Sequence, residues 1–140
     1  MSHKSDTIAR LLAGLHSDRY DPHYLGYFEC FNRQLFYEAH DVLEELWLAS
    51  KHTLNGRYYQ GLIMATGAFV HFQHDRPKGG SNLLKMAIER LKPYGAVHEG
   101  FEVGKFVEVL ESWLYLVDST DCKENPFHPK LAPKLSLLDS

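Results

Sequence analysis

Phe36-Tyr37-Glu38-Ala39-His40-Asp41-Val42-Leu43-Glu44-Glu45-Leu46-Trp47 decides how this chain is to be read. Each residue of an α-helix advances about 100° around the axis. With Phe36 at zero, Leu43 and Trp47 fall within about 20° of it, and Ala39, Leu46, Leu35 and Val42 extend the stripe on one side. His40 lies about 40° away on the other side and Glu44 about 80° away. Glu38, Asp41 and Glu45 take the far face, where they are expected in solvent. The segment is therefore an amphipathic helix whose apolar stripe contains, or borders, two ionisable groups. A buried charge needs a partner. Residues four apart stand one above the other, so His40 and Glu44 could bond directly, share a water or share a metal ion.

Outward from this helix the pattern stays helical. Ser5 or Asp6 is a natural cap for a short first helix carrying Ile8, Leu11, Leu12 and Leu15. Asp21-Pro22 is a cap followed by proline in the first turn, and Tyr24, Tyr27, Phe28 and Phe31 repeat at threes and fours behind it. A tight turn at Asn32-Arg33-Gln34 is expected, since one helix from Pro22 to Ser50 would be long for a small domain. Lys51 to Gly56 reads as a loop closed by Asn-Gly. The next helix, from about Arg57 to His74, is apolar nearly all round, which predicts burial on several sides. Gln60, Met64, Gly67 and His71 share one of its stripes.

Asp75 to Gly80 reads as a loop, with Gly79-Gly80 a turn before a helix that opens at Ser81 or Asn82 and carries Leu83, Leu84, Ala87, Ile88 and Leu91. A last helix carries Val103, Phe106, Val107, Leu110, Trp113, Leu114 and Val117. Strand-type alternation is missing throughout. The expectation is an all-α, single-domain bundle of five or six helices over residues 1–122. A proline-studded tail, 123–140, is either strapped across the bundle or disordered.

Composition narrows the function classes. Of the 140 residues 44% are hydrophobic and 24% charged, as in ordinary globular proteins. A net charge of −3 without a basic run argues against nucleic acid and against anionic membrane surfaces. No apolar stretch reaches the length of a membrane span, and the first residues lack the apolar core of a signal peptide. Cys30 and Cys122 are widely spaced and predict two free thiols in a reducing cytoplasm. A nucleophile elbow, a phosphate-cradling loop and a His-Glu-x-x-His helix are all absent.

The chemistry therefore rests on two neighbouring helices, each with polar groups in an apolar stripe. If those faces meet, His40 and Glu44 converge with Gln60 and His71 in the bundle interior. Bundles build metal sites from inward side chains in this way. Two imidazoles and a carboxylate suit zinc, iron(II) or manganese. Equally, a His–carboxylate pair with a bridging water satisfies the same polar inventory. His3, His16, His23, His52, His98 and His128 are expected at the surface.

His40-x-x-x-Glu44-x-x-Trp47 preceded by Phe36-Tyr37-Glu38-Ala39, then Tyr59-Gln60-Gly61-Leu62-Ile63 with His71 eleven residues after Gln60, and Gly79-Gly80 before Leu83-Leu84, resembles the bacterial and archaeal domain of unknown function family 309. The resemblance spans roughly Phe28 to Leu91. It departs at Arg33-Gln34, where the family has a glycine or acidic turn, and at Gly79-Gly80, where the family has Gly-Ala. It implies a helical bundle and a suspected metal role for the His–Glu motif, but no established reaction. Two expectations follow. One is a metal-dependent enzyme, hydrolytic in kind, with His40, Glu44 and His71 as ligands to a divalent ion and with Glu38, Asp41, Trp47 and Gln60 around them. The other is a non-enzymatic interaction or scaffold protein whose His/Glu cluster is a buried hydrogen-bond network. The partner, a small molecule or a protein, and the oligomeric state are left open.

Overall fold

The computed structural model describes residues 3–138, with side chains from Asp6 onward. Six helices follow one another: α1 (His3–Leu12), α2 (Pro22–Asn32), α3 (Phe36–Ser50), α4 (Gly56–Gln73), α5 (Pro77–Leu91) and α6 (Val103–Asp118). Short 3₁₀ turns occupy Lys92–Tyr94 and Pro129–Leu131. The described residues contain no strand, only isolated bridges joining His98 to Phe101 and Phe101 to Leu137. The class is all-α, as the periodicity predicts. No helix is long and apolar enough to cross a membrane among the described residues.

Local chemistry sets the helix ends. Asp21 caps α2: its carboxylate accepts from the His23 backbone N–H at 2.8 Å, and Pro22 fills the first turn. The turn between α2 and α3 falls at Arg33-Gln34, where Gln34 adopts φ 61° and the Leu35 N–H donates to Cys30 O at 2.9 Å. A left-handed residue after a helix is usually glycine, so nothing in Arg33-Gln34 announces it. The first helix begins at His3, so Ser5 and Asp6 lie inside it rather than capping it. Similarly, α5 starts at Pro77, four residues earlier than Ser81. Proline suits a first helical position, and Gly79-Gly80 sits within the first turn because of packing. A Cβ on Gly79 would stand 2.6 Å from His71 Nδ1, and one on Gly80 would run into the Phe72 ring.

The core lies where α4 packs between α3 and α5, with Tyr24, Tyr27 and Phe31 of α2 reaching it. Tyr58, Leu62, Ala65, Ala68 and Phe69 are fully buried, as the all-round apolar character of that helix predicts. Phe36 stacks on Phe69 with centroids 5.3 Å apart, and Phe31 and Trp113 meet Phe69 edge-on at 5.8 and 5.4 Å. These rings join α2, α3, α4 and α6. Close approaches need small residues: a Cβ at Gly61 would press on Leu91 at 2.8 Å, and one at Gly26 on Leu12 at 2.6 Å.

Residues 123–138 lie across the bundle as a strap. Phe127 packs edge-on against Phe36 and Phe69 and beside Trp113. Asn125 Nδ2 donates to Phe72 O at 2.8 Å. The Asn32 side chain donates to Leu135 O and accepts from Leu135 N–H, both at 2.7 Å, as a neighbouring strand would. Gln34 Nε2 donates to Pro129 O at 2.9 Å. Leu135 and Leu137 of the strap are themselves buried.

Candidate functional site

Helix α3 starts at Phe36 without a side-chain cap, and buries Phe36, Ala39, Val42 and Leu43. That stripe points at α2 and α4. His40, Glu44 and Trp47 flank it and are half-buried. The His40 side chain is 34% exposed and that of Asp41 18%. His40 Nδ1 lies 3.2 Å from Asp41 Oδ1, and the imidazole is nearly parallel to the Tyr37 ring, centroids 6.3 Å apart. Among the described contacts His40 thus meets the adjacent acid. Glu38 and Asp41, expected in solvent, are half-buried, and Glu45 is the acid of that face that stands exposed. Glu38 also lies close enough to Cys30 to act on its thiol: burial first, then that carboxylate, push Cys30 up to about 11. A thiol held there stays protonated and unreactive at neutral pH.

The second half of the expected site turns elsewhere. Gln60 Oε1 accepts from Arg90 Nε at 2.7 Å, and Arg90 belongs to α5. Gly67 on the same stripe faces Leu83 of α5. The His71 ring rests on Gly79 in the first turn of α5, with its buried Nδ1 lacking a hydrogen-bond partner. Burial, and then the nearby Arg76 and His74, lower its pKa from the ordinary 6.5. The polar stripe of α4 therefore meets α5 and not the His40 face of α3. Helical spacing shows which residues share a stripe; it does not show which neighbour the stripe meets.

Among the described residues, no three His, Cys, Asp or Glu side chains are grouped so that they could hold a metal ion. The donor set His40, Glu44 and His71 does not fit a three-ligand centre in this arrangement. Two surface depressions lie away from the motif. One is between α6 and the strap, over Phe101, Phe106, Val109 and Leu135; another is between α2 and the strap, over Leu25, Phe28 and Asn32.

Two polar constellations were not foreseen in the sequence. His23, expected at the surface, is half-buried between two carboxylates. Its Nδ1 is 2.8 Å from Asp21 Oδ1 and its Nε2 3.0 Å from Glu45 Oε2 on α3. The Asp21-Pro22-His23 run hints at the first contact, but Glu45 lies 22 residues on and no local pattern points to it. At the same end of the bundle Tyr24 donates to Glu99 O at 2.9 Å and meets the Tyr58 hydroxyl at 2.5 Å. His98, also expected at the surface, is half-buried. It sits against the rings of Tyr58 and Tyr94, with Nε2 2.6 Å from Asn55 Oδ1. Burial raises the pKa of Tyr24 and Tyr58 far above the phenol value. These hydroxyls stay protonated and hold the 98–101 loop to the ends of α2 and α4. Among the other histidines, His16, His52 and His128 are exposed as expected; the side chain of His3 lies outside the described residues.

A helical bundle carrying a His-x-x-x-Glu-x-x-Trp helix is the class that this geometry defines. Residues 24–83 match the family model described as domain of unknown function DUF309, the family that the motif resembles. An uncharacterized protein of Aquifex aeolicus is 33% identical over 79 residues, covering 56% of this chain and 24% of that protein. The uncharacterized protein YpuF of Bacillus subtilis is 28% identical over 79 residues, 55% of this chain and 45% of its own length. The match thus spans less than half of each of these bacterial relatives. No solved structure matches the chain significantly.

Proposed function

We propose that the protein is a non-enzymatic interaction module, working in the cytoplasm, and that the outer face of α3 is its contact surface. The observation that carries this reading is the half-exposure of the motif. His40, Asp41, Glu44 and Trp47 stand at the edge of the bundle, bordered by Tyr37 at 63% and Leu48 at 52% exposure. Aromatic and aliphatic side chains beside polar ones are the composition of recognition surfaces. The helix contains Glu38, Asp41, Glu44 and Glu45 and neither lysine nor arginine, which favours a protein partner over nucleic acid. The recurrence of 79 matched residues within longer bacterial chains supports a module used in more than one setting. The free thiols agree with a reducing compartment.

The competing reading, a metal-dependent hydrolase, calls for a group of three donors, which is not seen among the described residues. One experiment separates the two. Affinity capture is compared for the wild type, for Leu48→Asp, and for Tyr115→Ser on α6 as a control, with melting temperatures measured in parallel. The module reading expects a bound protein that is kept by the control and lost with Leu48→Asp at unchanged melting temperature. Capture indifferent to Leu48→Asp would overturn it. So would ester or phosphoester hydrolysis that requires added zinc or manganese and disappears with His40→Ala.

A further inference from the structure

The chain leaves α6 through two consecutive residues in the left-handed region, Asp121 at φ 57° and Cys122 at φ 60°. Helix ends of this shape normally use glycine. Aspartate tolerates the region, whereas cysteine stands there at a cost. The turn is held by Asp121 N–H donating to Asp118 O at 2.9 Å and Cys122 N–H donating to Val117 O at 3.0 Å. It is a short connection under strain, placed directly before the strap.

The strap's anchors share one property: every receptor for them lies upstream of that turn. Phe127 uses Phe36, Phe69 and Trp113. Asn125 uses the carbonyl of Phe72, and Leu135 uses the side chain of Asn32. The Leu138 N–H donates to Gly100 O at 2.8 Å. A receptor complete without the turn accepts the same segment from a second molecule with the same contacts. Opened at the turn, residues 119–124 between α6 and the first anchor at Asn125 reach roughly 20 Å when extended, the span of a crossing between abutting molecules.

A second observation lies beside the turn. The outer face of α6 exposes Tyr115 at 74% and Leu116 at 49%, over shallow depressions shared with Ser112 and Leu114. Nothing within the described chain covers it. In a two-fold pair that exchanges straps, the chains cross just after α6, a few residues beyond Tyr115 and Leu116.

We propose that the occupant of the exposed α6 face is a second copy of this chain, engaged by reciprocal exchange of the strap, residues 123–138. Closed and exchanged forms make the same strap contacts. They differ in the relief of the Asp121-Cys122 turn and in the new α6–α6 contact, set against the entropy of association. The inference is independent of the α3 contact surface, because it uses other elements.

Sedimentation of the full chain from micromolar to millimolar concentration, before and after refolding at high concentration, measures the pair. The expected result is a slowly exchanging dimer, enriched by concentrated refolding. In a dimer assembled from isotope-labelled and unlabelled chains, the nuclear Overhauser effect between Phe127 and Phe36 crosses between molecules. Asp121→Gly with Cys122→Gly relieves the turn within the monomer and is expected to weaken dimerisation at least tenfold. Tyr115→Ser with Leu116→Ser should weaken it likewise while leaving the monomer's melting temperature unchanged. A chain that stays monomeric to millimolar concentration after refolding overturns the proposal. So does a dimer in which Phe127 contacts only its own Phe36, or one indifferent to the glycine pair.

Discussion

His71 touches Gly79 through a ring whose buried nitrogen has no bonding partner, and its imidazole titrates below the ordinary 6.5. As pH falls, the unfolded chain takes up its proton first, so the fold loses stability beneath 6.5 and keeps it above. His71→Gln should therefore lose less melting temperature than the wild type between pH 7.5 and pH 5, roughly the interval in which imidazoles titrate. A wild type and variant falling in parallel would refute the assignment. His23 offers a second test. It ties the start of α2 to α3 through Glu45, but both side chains are part-exposed, so His23→Ala should cost about 1 kcal/mol or less, read as a small drop in urea midpoint. The sequence shows through helical spacing which stripe His71 occupies, and marks His23 only as a surface residue. It hides their partners, because Glu45 and Gly79 are brought near by packing between helices and not by local pattern.

Elements were the most legible scale. The all-round apolar run from Gly61 to Val70 announces a buried helix, and α4 packs between α3 and α5 with α2 side chains on it. The Asp21-Pro22 cap was equally plain, since the side chain and the ring each have one physical role there. The start of α5 was not, because two glycines ordinarily mark a loop. Here they admit His71 and Phe72 against the helix backbone. Gly80→Ala tests that cause. In an open helix it would gain about 1 kcal/mol from propensity. Against the buried Phe72 ring it should instead cost about 1–3 kcal/mol as overpacking, measured by chemical denaturation; a stabilised variant would show that the glycine is there for the turn alone.

Over the whole molecule, stability is shared between the bundle and the strap. Phe127 is half-buried in an aromatic nest, so Phe127→Ala should cost somewhat less than the ~3–5 kcal/mol of a fully buried phenylalanine. It should raise hydrogen exchange at Leu135 and Leu138 ahead of the helices. The arrangement of polar groups is likewise a property of the whole. Helical phase places His40 and Glu44 beside the apolar stripe of α3, but only the packing of three helices turns Gln60 and His71 toward α5. A two-ring titration examines that arrangement most directly: long-range proton–nitrogen spectra of the histidine rings, recorded as zinc is added to one equivalent. With His40 on the edge of α3 and His71 against α5, the two rings should respond separately, without stoichiometric saturation. Both rings shifting together and saturating at one equivalent, with Glu44→Gln abolishing the effect, would contradict it.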